Sequence, residues 1–252
     1  MEKDTNRIEF TYFGDLLGTS ELYNIHRDVG YNQLDKFYKI MYDDFKQLVE
    51  EYETTLYVYL FSDSLFITGK NNIEMVLKTL SSVYYKLFSE KIFLRGAMVE
   101  GYLNYDPRVE LRNFRKQLPT TDVLFRATKL EKSSKGARLL IEKGLAQKIL
   151  HQNWYTEDTY IKNFYNPKLP NDDFKRKIVQ NGYQAYEYLW PLEDCEWLKG
   201  YLDVQELLKE KAYFAPNNVI NHLRETRKLF RIAKYRFEIN NHLRRRPIRI
   251  KR

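Results

Sequence analysis

The chain has 252 residues, is 43% hydrophobic and 30% charged, and carries a net charge of +8. That balance is globular rather than disordered or membrane-embedded, and the length fits one large domain, or one domain with an appendage. Its apolar runs fall short of the ~20 residues a membrane span needs, MEKDTNRIEF lacks a signal-peptide core, and the lone Cys195 excludes an internal disulfide framework, so a cytoplasmic protein without a membrane span is expected.

Residues 7–15, RIEFTYFGD, alternate apolar and polar side chains and read as a strand that Gly14-Asp15 ends. Thr19 or Ser20 can cap a helix opening at Glu21. Apolar residues at three- and four-residue steps place a helix over 31–52. Residues 56–61 and 65–68 flank Ser62-Asp63-Ser64 as the arms of a hairpin. A turn at 69–72, a helix over 73–89 and a strand over 92–102 follow. The polar stretch 105–121 reads as a loop. Asp122 can cap a helix over 123–132, then come a turn at 133–136, a strand over 137–141 and a helix to about residue 150. Strands and helices in this order predict an α+β domain, a mixed or antiparallel sheet covered by helices. Beyond it, 182–189 fits a strand, and 204–208 and 217–243 fit helices. The expected division is a catalytic-type domain over 1–150 and an extension over 151–252 that ends in a long basic helix and packs on the same domain or on a dimer partner.

Two of these strand ends carry an aspartate, Asp15 and Asp63. Carboxylates at the ends of apolar strands suit Mg²⁺ or Mn²⁺, and such ions usually serve phosphates. Each aspartate has a structural alternative: Asp15 as a helix cap, Asp63 as a hairpin-turn residue. Arg95, inside an apolar strand, has an ion pair with Glu100 or a surface acid as its structural reading.

Residues 5–145 resemble the catalytic domain of the class III nucleotide cyclases. The resemblance rests on Phe13-Gly14-Asp15-Leu16-Leu17-Gly18 for that family's F-x-D-x-x-G, on Phe61-Ser62-Asp63-Ser64 for its second metal aspartate, and on Leu94-Arg95-Gly96-Ala97 for its phosphate-binding Arg-x-Gly strand. It implies a ferredoxin-like sheet and two divalent ions, Mn²⁺ or Mg²⁺, on Asp15, Asp63 and the backbone carbonyl of Leu16. It also implies attack of a ribose 3′-oxygen on the α-phosphorus of a nucleoside triphosphate, with Phe13 and Arg95 at the substrate.

The chain departs from the family at two places. Adenylate cyclases carry Lys four residues before the second metal Asp, where this chain has Tyr59; a bulkier side chain shrinks the base pocket and favours a pyrimidine. The family's Asn-x-Ala-x-Arg becomes Phe125-Arg126-Ala127-Thr128-Lys129, leaving Arg126 or Lys129 to stabilise the transition state. Both departures are similar to the Pycsar anti-phage cyclases of bacteria. That resemblance implies conversion of UTP, or else CTP, to a cyclic monophosphate by a manganese-dependent homodimer with composite sites, and a cyclic-nucleotide-activated effector as functional partner. A non-catalytic nucleotide- or nucleic-acid-binding module and a purine cyclase are the alternatives.

The net charge is concentrated at the end of the chain. Residues 222–252 hold 12 Lys/Arg against 2 Asp/Glu, and the remainder is close to neutral. A solvated basic helix fits this tail, as does a polyanion contact with nucleic acid, a membrane surface or an acidic partner. The loop over 105–121 supplies Arg112, Arg115 and Lys116 as further candidates for phosphate. The four histidines show no metal-ligand spacing.

Overall fold

The first strand, β1 (Glu9–Leu16), divides its side chains between two environments. Phe10, Tyr12 and Leu16 enter the main core, while Phe13 joins a smaller cluster on the other face. This is the two-residue period of a strand buried on both sides. The structure is a computed structural model describing residues 8–104, 120–151, 178–181, 185–192, 200–214 and 217–245.

After β1 come α1 (Thr19–Ile25), α2 (Arg27–Glu51), β2 (Leu56–Phe61), β3 (Ser64–Lys70), α3 (Ile73–Ser89) and β4 (Leu94–Glu100). The strands β2-β3-β1-β4 lie side by side in that order, every neighbour antiparallel. This is the ferredoxin-like β-α-β-β-α-β arrangement. α4 (Val123–Lys132) then leads to β5 (Leu139–Glu142), which runs parallel to β4, as a helical crossover requires.

The sheet continues beyond β5. After α5 (Lys143–His151), β6 (Ile178–Asn181) and β7 (Ala185–Tyr188) add to its edge in the order β5-β7-β6. α6 (Tyr201–Phe214) and α7 (Asn217–Arg245) close the chain. Trp190, Leu229, Phe230 and Ala233 share the core built by β1, α2 and α3. The Trp190 indole packs tilted against Phe88 and edge-on to Phe230, and donates from Nε1 to the Ala137 carbonyl at 2.8 Å. The described residues after 150 therefore complete the same sheet and the same core.

Helix and strand positions follow the sequence periodicity closely, and the ends differ for local reasons. α2 starts at Arg27 because His26 caps it, Nδ1 accepting from the Asp28 amide at 3.3 Å. Neither Thr19 nor Ser20 caps α1; Gly18 holds that place at φ 83° without a side-chain bond. Asp122 stands at the start of α4, but its carboxylate pairs with Arg126 at 3.2 Å instead of an amide. α6 runs well past the expected 204–208. Among the described residues no helix is long and apolar enough to cross a membrane. Cys195, the loop residues Arg112, Arg115 and Lys116, and the basic residues 246–252 lie outside the described residues.

Candidate active site

Asp15, Asp63 and Arg95 gather at one end of the central strands, whereas Arg126 bonds at the other end of β4, at Glu100. Asp15 stands across from Ser64 of β3 and from Arg95 of β4. Asp63 follows Ser62 in the two-residue turn between β2 and β3, where Phe61 pairs with Ser64. Ser62 takes a left-handed conformation, φ 54°, of the kind tight hairpin turns demand. The Leu16 amide donates to the Asp63 carbonyl at 3.0 Å, tying the turn to the end of β1. Sequence positions 48 residues apart are thus brought together by backbone pairing alone.

A glycine pair makes room beside them. Gly14 and Gly96 face each other on β1 and β4. The Tyr12 ring occupies the space their missing side chains leave, and its hydroxyl lies 3.1 Å from that of Tyr84. The phenols of Tyr12 and Tyr84 are held protonated, first of all by burial.

Asp15 is half-buried and accepts from the Ser64 hydroxyl at 3.2 Å. Burial, and next the neighbouring Asp63 carboxylate, push its carboxyl above the usual range; Ser64, Arg95 and Lys132 oppose the rise. Asp15 does not cap the following helix, whose N-cap has no side-chain bond. A pair of carboxylates that raise each other's energy is a hard-oxygen donor set of the kind Mg²⁺ and Mn²⁺ bind. Among the described residues no group of three or more His, Cys, Asp or Glu side chains is placed to hold a metal. The pair needs a backbone oxygen, that of Leu16 being nearest in the chain, and phosphate oxygens to complete a coordination shell.

Arg95 is buried and already partnered. Its Nε donates to the carboxylate of Glu131 on α4, and a terminal nitrogen donates to the Ser134 carbonyl at 3.3 Å. The acid it pairs with is neither Glu100 nor a surface group. Glu131 is 1% exposed and its Oε2 has no hydrogen-bond partner. Burial raises the Glu131 carboxyl, Arg95 pulls it back, and Asp15 adds to the rise. Glu131 was missed in the sequence, yet it follows Val123 and Ala127 at four-residue steps along the buried stripe of α4. An acid in such a stripe requires a buried cation.

The remaining candidates divide by exposure. Arg126 is committed within its own chain: one terminal nitrogen reaches both Glu142 oxygens at 2.6 and 2.7 Å, and the other donates to the Glu100 carbonyl at 2.6 Å. Lys129 is exposed, and Phe125, one helical turn before it, is 70% exposed. Tyr59 pairs across the sheet with Phe66, which pairs with Phe13. The row from Tyr59 to Phe13 lies beside that from Phe61 to Asp15, on the same sheet face. Tyr57 stacks on Tyr59 at 6.5 Å, and the Tyr59 phenol is raised by burial and then by Tyr57. An aromatic floor therefore adjoins the carboxylates.

No protein-family model and no curated protein matches the sequence. Solved structures similar in shape include the guanylyl cyclase Cya2, at 9% identity and TM-score 0.46, aligned over 73% of this chain and 92% of that one. Another is the guanylyl cyclase domain of the RhoGC fusion protein from the aquatic fungus Blastocladiella emersonii, at 13% identity and TM-score 0.46, over 72% and 95%. A third is the adenylyl cyclase CyaB from P. aeruginosa, at 16% identity and TM-score 0.42, over 72% and 94%. Likeness at this level assigns no family and no activity to the chain.

Proposed function

We propose that this protein is a nucleotide cyclase that converts a pyrimidine nucleoside triphosphate, UTP in preference to CTP, into its 3′,5′-cyclic monophosphate and pyrophosphate. The observation that carries the reading is the meeting of Asp15 and Asp63 at one sheet end, with Arg95 directly across from Asp15. Asp15, Asp63 and the Leu16 carbonyl would hold two divalent ions, Mn²⁺ or Mg²⁺. When bound, these supply charge that lowers the pKa of the ribose 3′-hydroxyl and steadies the triphosphate. In the reaction the 3′-hydroxyl loses its proton, its oxygen bonds to the α-phosphorus, and the bond from that phosphorus to the pyrophosphate oxygen breaks.

The protein's own groups position and neutralise. Ser64 orients the Asp15 carboxylate. Arg95, fixed by Glu131 and Ser134, keeps a positive field at the phosphates without side-chain freedom to lose. The floor of Phe13 and Tyr59 leaves a shallow place for a base, and the Tyr59 hydroxyl can bond a base edge. Arg126 is tied to Glu142, so the exposed Lys129 is the better candidate for transition-state charge. Lys129 and Phe125 point away from the buried stripe of α4, which suits donation to a second copy and supports a homodimer with composite sites. By its likeness to the Pycsar cyclases, the product would be a messenger for a cyclic-nucleotide-activated effector in the bacterial cytoplasm.

The test is to offer purified protein each of the four ribonucleoside triphosphates with Mn²⁺ and to separate the products by chromatography. Cyclic UMP is expected, with Asp63→Ala abolishing it while the fold is kept. Absence of every cyclic monophosphate overturns the reading, and equal turnover of ATP and UTP overturns the role given to Tyr59.

A further inference from the structure

Behind the β1–α1 turn lies a cleft of about 470 Å³ that no part of the chemistry above uses. One wall is the turn itself, Leu17 and Gly18, which follow directly on Asp15 and Leu16. The rest of the lining includes Lys211 of α6, His222 and Thr226 of α7, and Lys135, together with the apolar Phe93 and Leu223. Lys135 and Lys211 form no ion pair among the described residues. The one acidic group in the lining, Glu21, is exposed and already accepts from the Ser20 hydroxyl at 3.0 Å.

The basic wall is built rather than incidental. The Gly136 amide donates to His222 Nδ1 at 3.2 Å, and the Ala137 amide donates to the Thr226 hydroxyl at 2.9 Å. On the other side the Ser134 carbonyl accepts from Arg95. Lys135 is thereby held between two anchored neighbours. Because Nδ1 of His222 accepts, its proton resides on Nε2 and the ring enters the cleft as a neutral donor. Burial first, and then the nearby Arg95 and Lys135, lower the His222 pKa to about 4, which keeps the ring neutral. Arg95 acts on both His222 and Asp15, so the cleft and the carboxylate pair share one electrostatic neighbourhood.

We propose that this cleft seats the terminal phosphates of the nucleotide whose reacting end lies at Asp15 and Asp63, with Lys135, Lys211 and His222 as the groups that hold them. The inference rests on the nucleotide reading above. It gives the C-terminal helices a direct part in substrate binding. A volume of about 470 Å³ accommodates a diphosphate with its water, and lysines without acidic partners among the described residues are the point charges phosphate oxygens attract.

The experiment uses the full chain and inorganic pyrophosphate as probe, with binding measured by calorimetry. Wild type is expected to bind it, and Lys135→Ala with Lys211→Ala to weaken binding about tenfold or more, as the loss of two charge-assisted contacts implies. UTP should displace the probe, and the same double variant should raise the KM for UTP far more than it lowers kcat. Lys211→Arg should restore most of the binding. Unchanged pyrophosphate affinity in a double variant that melts like wild type overturns the proposal, as does failure of UTP to compete. Should the probe bind and be displaced while no triphosphate is cyclised, the cleft stands and the cyclase reading falls.

Discussion

Arg95 stands across the sheet from Asp15 yet gives its Nε to Glu131, so the cation facing the carboxylate pair is held in place from the helix above it. Both partners are buried, and one Glu131 oxygen has no hydrogen bond. Such pairs add little net stability, but removing one member strands the other.

Replacing Glu131 with Leu is therefore expected to destabilise by roughly 3–5 kcal/mol, and Arg95→Met by a similar amount. The double replacement should cost well below the sum, because no uncompensated charge remains. Urea denaturation of the four proteins of this cycle measures the coupling. Strict additivity would show that the two side chains do not act as a pair.

The Asp15 carboxyl sits above its ordinary range because of burial and then Asp63. Its native state thus binds a proton more tightly than its unfolded state. By linkage, the stability this group contributes is greatest at low pH and is lost as pH rises from the ordinary carboxylate range through the raised native value. Glu131 has the same sign. Asp63→Asn removes part of the cause, so this variant should be more stable than wild type at neutral pH by about 0.5–1 kcal/mol, an order typical of relieved functional sites. Added Mn²⁺ should raise the melting temperature of wild type and leave that of Asp63→Asn nearly unmoved. A metal-free Asp63→Asn protein less stable than wild type at pH 7 would contradict the mutual repulsion.

Much of this arrangement could be read from the residue pattern. Asp15 and Asp63 stood out as polar ends of apolar strands, and α3 and α4 fall where their apolar periodicity places them. Arg95 stood out through the Arg-x-Gly resemblance, but its partner did not. Phosphate and Glu131 satisfy a buried guanidinium equally well, and only the packing of α4 on β4 decides which is present. The fates of Arg126 and Lys129 were closed to sequence reasoning as well. They lie three residues apart on one helix, and Glu142 claims Arg126 through a strand whose position depends on the whole sheet. The C-terminal segment was hardest, because the strands β6 and β7 are short and polar in part. The pairing of β7 with β5, and of β6 with β7, is set by tertiary contact and not by local alternation.

Ser62 offers a local test of the turn that carries Asp63. Its φ of 54° is left-handed, a region unfavourable for residues with a Cβ and free for glycine. Ser62→Gly is expected to stabilise the protein by about 0.5–1 kcal/mol, the relief of that strain being partly offset by a more flexible unfolded chain. The placement of Asp63 is unchanged, so any nucleotide turnover should persist. Loss of stability on this replacement would mean that the serine side chain holds the turn.

The glycine pair beneath the site makes a sharper prediction, because the two positions should respond differently to one second change. A Cβ at Gly14 would lie 2.4 Å from the Tyr12 hydroxyl oxygen and 2.9 Å from the nearest ring carbons. At Gly96 the hydroxyl is 2.2 Å away and the ring carbons 2.5 Å. Either alanine forces the ring to shift within a filled core, at a cost of about 1–3 kcal/mol. Tyr12→Phe deletes the hydroxyl and with it the worst contact at Gly14, but the ring itself still collides at Gly96. In chemical denaturation, Gly14→Ala should thus be partly rescued by Tyr12→Phe, beyond the cost of losing the bond to Tyr84, and Gly96→Ala should not. Equal rescue at both positions would mean that the ring can leave this notch. The strand ends that position Asp15 and Arg95 would then depend less on Tyr12 than the packing indicates.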